Sequence, residues 1–312
     1  MTKGEKIIRR EEKRLEKERK RSIQEANKML IPTPKQTQES LKILSFDPSG
    51  TFRLEKNRWI KVYEIIGENE GCDGLKNLNG RARITEKIEK GKPKKRYLTL
   101  MEEGEIYKEV QKDIEMDQLA LEKRFLLKPL SIDETMNVVG EGRMPFSYAA
   151  MVRGKKDWKE AVLLDVKEEK DSFKVGDLYA QSMCVLEFPS IHPSSLFCSL
   201  EEIGCSMSIV FDIQTTDLSE GFLQTLEKRY NRRLKRSEEE MLNLSCFITY
   251  FCDSEDAREI IEKTIKRMFS RSGFTLATAY GAQRNAYESA ATLGILDYSN
   301  MRNVKAGGTI WQ

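Results

Sequence analysis

The chain has 312 residues, 39% of them hydrophobic and 33% charged, which is enough apolar material for a folded core and too much for a disordered chain. Its formal net charge of +3 is uneven: residues 1–30 hold eleven Lys/Arg against six Glu, so the basic character belongs to an N-terminal arm and the rest is mildly acidic. No run of about 18 apolar residues occurs and the first thirty residues are charged, which argues against a helical membrane span or secretory signal and predicts a cytoplasmic protein.

Residues 4–29 lack proline and intersperse both charges, predicting a charged basic helical arm (1–30) with too few apolar positions for a heptad seam. Such an arm either touches anionic lipid, nucleic acid or an acidic partner, or serves as a solvated tether. Prolines at 32 and 34 then break the helix and open a linker, 31–42. Residues 43–66 read as a small antiparallel sheet: a strand at 43–46, the turn Asp47-Pro-Ser-Gly50, a strand at 51–54, and a strand from Arg58 to Ile66. Ile84 to Ile88 suits helix or strand, and Tyr97 to Met101 a strand. An apolar stripe from Ile106 to Phe125 predicts a helix over 105–125. Ser131 with Glu134 three residues on predicts a capped helix after it. The patternless stretch 140–156 is taken as the boundary of a first α/β subdomain, 43–140.

The second subdomain, 157–294, is better patterned. Strands are expected at 178–188, 206–213, 244–251 and 274–278, with helices at 194–203, from 217 or 219 to about 234, and at 254–269. Asp253 is placed to cap the last helix and Gly273 to end it. Alternating strands and helices imply an α/β (α+β) fold in which mixed sheets carry ferredoxin-like βαβ halves. A loose C-terminal tail, 295–312, follows.

The search for chemistry is mostly negative. No Gly-x-x-x-x-Gly-Lys-Ser/Thr occurs, and Gly91-Lys92-Pro93 and Gly154-Lys155-Lys156 lack the spacing and the hydroxyl that a phosphate loop needs. The single histidine, His192, sits between prolines and reads as turn rather than as a catalytic base. Six cysteines without a C-x-x-C pair read as buried reduced thiols, and no zinc spacing is present. Phe211, Tyr250 and Phe251 lie on strands that could stack bases, but the RNA-binding octapeptide is missing and core packing is the preferred reading. Arg229, Arg232, Arg233, Lys235 and Arg236 form a basic cluster, either a phosphate or partner contact or a solvated helix end.

The stretch from Ile209 to Gly294 resembles the N-terminal domain of the ATPases of type IV secretion and conjugative transfer systems. The resemblance rests on Ile209-Val-Phe-Asp-Ile, Leu244-Ser-Cys-Phe-Ile-Thr-Tyr, Ser254-Glu-Asp-Ala-Arg-Glu-Ile-Ile-Glu-Lys and Ser272-Gly-Phe-Thr-Leu. It ends in an exit motif: Gln283, Ala286, Ser289, Leu293 and Gly294, with Thr292 where that family has Pro. The early hairpin around Asp47 and Trp59 is similar to the family's opening strands. The resemblance implies a non-catalytic docking or scaffold component, without a cofactor, at the inner face of the cell membrane. Its implied partners are a separate motor ATPase, which carries the nucleotide-binding residues, and inner-membrane transfer proteins, with homo-oligomers as an option. The alternative expectation is a nucleic-acid-binding protein using the basic arm and the cluster from Arg229 to Arg236.

Overall fold

The computed structural model describes residues 43–46, 49–54, 57–68, 78, 81–139, 166–188, 196, 199–215, 241–290 and 302–305. The expected basic arm, linker, helix from 217 and tail beyond 305 lie outside them.

Strands β1 (Ile43–Phe46), β2 (Thr51–Leu54) and β3 (Arg58–Glu68) form the expected antiparallel meander. Gly50 is obligatory at the first turn: its φ is 83°, and a Cβ there would lie 2.5 Å from Leu130 O. The segment left open at 84–88 is strand, part of β4 (Arg81–Ile88), which is paired on both edges by β5 (Lys95–Glu103) and β10 (Ser206–Thr215). The expected helix at 105–125 is shorter: α1 covers Tyr107–Glu122, and β6 (Phe125–Pro129) follows. Phe125 is fully buried with the Arg124 guanidinium 5.3 Å from its ring centre, and pairing with the far half of β3 outweighs another helical turn. Helix α2 (Ile132–Val139) has the expected capping box: Ser131 N–H donates to Glu134 Oε2 at 2.9 Å, and Glu134 N–H donates to Ser131 Oγ at 3.3 Å.

The second region supplies β7 (Val166–Glu168), β8 (Phe173–Val175), β9 (Leu178–Glu187), β10, β11 (Met241–Cys252), α3 (Glu255–Arg271), β12 (Thr275–Thr278), α4 (Gln283–Ala290) and β13 (Arg302–Lys305). The α3 cap is Ser254 rather than Asp253. Ser254 has extended backbone, and its side chain accepts from Ala257 N–H. The helix ends as expected at Gly273 (φ 83°): Phe274 N–H reaches Phe269 O at 2.9 Å and Gly273 N–H reaches Ser270 O at 3.2 Å, a Schellman closure.

The fold is α+β. The thirteen strands among the described residues form one sheet in the order β1-β2-β3-β5-β4-β10-β11-β9-β8-β7, with β6 on β3, β12 on β9 and β13 on β11. Every described pairing is antiparallel, which corrects the expectation of mixed sheets. The reason lies in the connections. β9 and β10 run the same way but β11 lies between them, and β11 and β12 run the same way with β9 between. Each passage steps over one strand, so parallel strands never become neighbours. β4 pairs β10 from Arg81–Gln214 to Ile88–Met207, and one sheet therefore runs through both the 43–139 and 166–290 regions.

Alternation gives the sheet two faces. The first carries Tyr63, Ile84, Leu98, Met183, Ile209 and Ile248, and is covered by Val110, Ile114 and Leu121 of α1 and by Ile265 and Phe269 of α3. On the second, α4 covers Cys184, Val210 and Phe247. The second face also holds an ion pair, in which Arg83 Nε and Nη2 donate to Asp212 Oδ1 and Oδ2 at 2.7 and 2.9 Å. Both side chains are 3% exposed. Burial by itself would raise the Asp212 carboxyl, but the facing Arg83 guanidinium holds it below its ordinary value.

Candidate functional site: the seat of helix α4

Of the candidate positions at this end of the chain, Gln283 and Ala286 lie in α4 with their side chains buried. Beyond the end of β12, Ala279 N–H donates to Ser182 O at 3.0 Å and lengthens the ladder with β9 by one bond. Gln283 then continues that ladder with a side chain. Its Oε1 accepts from Ser182 N–H at 2.7 Å, and its Nε2 donates to Ser182 O at 3.1 Å and to Ala279 O at 2.9 Å. Only this orientation of the amide satisfies all three backbone groups, since the reverse would set oxygen against two carbonyls. Gln283 is fully buried, so its polar atoms are worth burying only because each is paired.

Ala282, just before α4, and Ala286 and Ala290 within it recur every four residues on the side that meets Cys184, Val210 and Phe247. With nothing beyond Cβ, they allow the helix to lie close to the sheet, and a larger side chain would lift it. Tyr287 extends the seat sideways. Its ring lies 5.1 Å from that of Phe173 and 6.2 Å from that of Phe251, in a cluster with Val166, Val175 and Ala180. The β7–β8 hairpin holds the N-terminal end of the helix: Gly281 N–H donates to Lys170 O at 2.6 Å, and Arg284 N–H donates to Glu168 Oε1 at 3.2 Å. That carboxylate meets the first turn of α4, where backbone amides lack helical partners.

Under the seat, Ser182 and Thr249 hydroxyls lie 2.7 Å apart. On the other face of the sheet, the Tyr250 hydroxyl sits 2.7 Å from Gln181 Oε1 and 3.0 Å from Arg258 O. Burial raises the Tyr250 phenol well above its ordinary range, so it acts as a neutral hydrogen-bonding tie between strand and helix. Arg258 links α3 to its surroundings through Glu255 at 2.5 Å, Glu262 at 3.4 Å and Asp171 at 3.6 Å.

The other expected site residues divide as follows. Ser289 lies in α4, whereas Leu293, Gly294 and the basic cluster Arg229, Arg232, Arg233, Lys235 and Arg236 lie outside the described residues, as does His192. Phe211, Tyr250 and Phe251 are buried and offer no stacking platform. Gly91 (φ 76°) makes the turn between β4 and β5, and Lys92 pairs with Glu89 at 2.5 Å. The four described cysteines are buried free thiols. Among the described residues, no group of three His, Cys, Asp or Glu is placed to hold a metal. A cleft of about 330 Å³ between α2 and the β3-β5-β4 strands is lined by Lys87, Lys128, Glu64 and Glu134. Its charges are largely spent on one another: Lys128 pairs with Glu134 at 3.4 Å and Glu64 at 3.8 Å, while Lys87 donates to Val138 O.

Sequence reasoning missed the partners of Gln283 and of α4. Ser182 contributes backbone atoms only and the β7–β8 hairpin is short, so neither has a residue signature. The four-residue spacing of alanines was the available signal. No protein-family model matches the chain, and no curated protein matches it at a significant level.

Proposed function

We propose that this chain is a non-catalytic docking component of a conjugative or type IV secretion apparatus, with ATP hydrolysis supplied from outside these 312 residues. The observation that carries the proposal is the Gln283 anchor. The motif that resembles the family's passage into its motor is, in this chain, a short helix hydrogen-bonded and close-packed onto a large sheet. A helix held in that way transmits the position of whatever it binds to the sheet, which is the mechanical need of a docking half. The strand order β12-β9-β11-β10, in which the β9–β10 connection and the β11–α3–β12 passage each step over one strand, supports a ferredoxin-like reading of the second region. Among the described residues no helix is long and apolar enough to cross a membrane. Attachment at the inner face of the membrane is accordingly assigned to the basic arm and to partner proteins.

The test is co-purification of the tagged full chain with a motor ATPase and the inner-membrane proteins of a transfer system, for the wild type and for Gln283→Ala. Capture by the wild type and its loss in a folded variant are the expected results. A monodisperse protein that captures none of these partners would refute the proposal. Salt-sensitive binding of single-stranded DNA by the same preparation, without partner capture, would replace it with the nucleic-acid reading.

A further inference from the structure

Two thiols flank one end of the β10–β11 ladder. The register sets Ser206 opposite Phe251, and one further step along it sets Cys205, the residue before β10, against Cys252, the last residue of β11. Directly opposed residues of antiparallel strands have Cα atoms about 4.5–5.5 Å apart, within the roughly 4.4–6.8 Å that a disulfide spans. Both side chains belong to the first-face core and so project from the same side of the sheet. Neither is sealed, with exposures of 7% and 8%. Gly204, at φ 73°, turns the chain out of the 3-10 helix Glu201–Ile203 and delivers Cys205 to the mouth of the strand pair. The Cys252 thiol lies 3.4 Å from Ser254 O and 3.6 Å from Tyr179 O, so it sits where β11 hands over to α3. The other nearby thiols do not meet this condition. Cys184 stands opposite Phe247 on the second face, and Cys246, on the first face, stands opposite Phe211.

We propose that Cys205 and Cys252 form a modification site, a reversible cross-strand disulfide made with a low-molecular-weight disulfide as oxidant. One protein thiolate attacks a sulfur of the oxidant, forming a mixed disulfide and releasing one small thiolate. The second protein thiolate attacks the protein sulfur of that mixed disulfide, forming the protein bond and releasing the second small thiolate. Two protein thiols lose two protons and two electrons, and the small disulfide is reduced to two thiols. Burial pushes the Cys205 thiol up to about 11 and also raises Cys252, so exchange is slow at neutral pH and accelerates in alkali. The bond ties the start of β10 to the end of β11 and closes segment 206–251, which carries the basic cluster from Arg229 to Arg236, into a ring.

The experiment uses the full chain and oxidised glutathione at about pH 7.5 and about pH 8.5, with alkylation of remaining thiols, non-reducing digestion and mass spectrometry. The expected result is a linked Cys205–Cys252 peptide pair that dithiothreitol separates. Its formation rate should rise about tenfold per pH unit below the thiol pKa, because the thiolate fraction does. Oxidised protein should also melt a few degrees higher than reduced protein, roughly as expected for a closed loop of this length. Cys205→Ser and Cys252→Ser should each lose the linked pair and the melting shift while the reduced proteins melt within about 2 °C of wild type. A Cys72→Ser, Cys198→Ser double variant should keep both. Glutathione adducts without a cross-link, linkage to Cys72 or Cys198 instead, or no reaction after prolonged incubation would each overturn the proposal.

Discussion

Replacing Gln283 with Ala isolates the anchor of α4, and its cost follows from which backbone groups lose their partners. Ser182 N–H has Gln283 Oε1 as its partner and would be left unpaired in a buried place, a penalty of about 1–3 kcal/mol. Ser182 O keeps Ala279 N–H and Ala279 O keeps Ala282 N–H, so each carbonyl loses only a second bond. Those two losses add about 0.5–1 kcal/mol each, for an expected destabilisation of about 2–5 kcal/mol. Guanidinium unfolding at pH 7 measures it as a lower midpoint with the slope retained, and amide exchange should show faster exchange at Ser182. Gln283→Glu provides the sign test. One carboxylate oxygen keeps Ser182 N–H and the other faces two carbonyls, so the folded protein favours the protonated acid. That variant should be least stable at neutral pH and should recover as the pH falls. A Gln283→Ala cost below about 0.5 kcal/mol, or a Gln283→Glu variant insensitive to pH, would refute the reasoning.

Burial, together with hydrogen bonding to Asp117 and the nearby charges of Asp117, Asp113 and Glu103, raises Glu102 to about 8. A folded value above the unfolded one contributes stability that is complete below the ordinary carboxyl range and is lost as pH rises through about 8, so Glu102→Gln should flatten urea stability between pH 5 and 8. Breaking the buried ion pair with Arg83→Met or Asp212→Asn alone should cost about 3–5 kcal/mol, and an apolar pair at both positions should cost less than either single change. Because Arg83 holds Asp212 low, its contribution persists above the ordinary aspartate range and fails only as acid protonates it. Ser254→Ala should cost about 1 kcal/mol in thermal or denaturant unfolding, whereas Asp253→Ala should change little, because Ser254 makes the cap.

The local events were legible before any tertiary information. Asp47-Pro-Ser-Gly50 announced a turn, Ser131 with Glu134 a helix start and Gly273 a helix stop, because each depends on a few neighbouring dihedrals and hydrogen bonds. Where two local readings satisfied the same residues, the sequence was silent. Asp253 and Ser254 are both good caps, and only the extended backbone at Ser254 selects one. Phe125 continues the helical stripe of α1 equally well as it begins β6, and its burial against the far half of β3 decides. The role of Gln283 was not legible either, since nothing among its neighbours marks it as the partner of Ser182.

What the amino-acid sequence by itself determined was therefore the alternation of strands and helices, the apolar stripes, the caps and turns, the absence of a phosphate loop in these 312 residues and the uneven charge. Only the tertiary structure decided that all described pairings are antiparallel, that β4 joins β10, and that the Gln283 amide serves as a strand partner for Ser182. Arg83 meets Asp212 across 129 residues and Gln283 meets Ser182 across 101, separations at which no periodicity or propensity links the partners. Period and capping are properties of a few consecutive residues. Strand order, and the burial that makes one amide or one ion pair matter, depend on which distant faces bury each other.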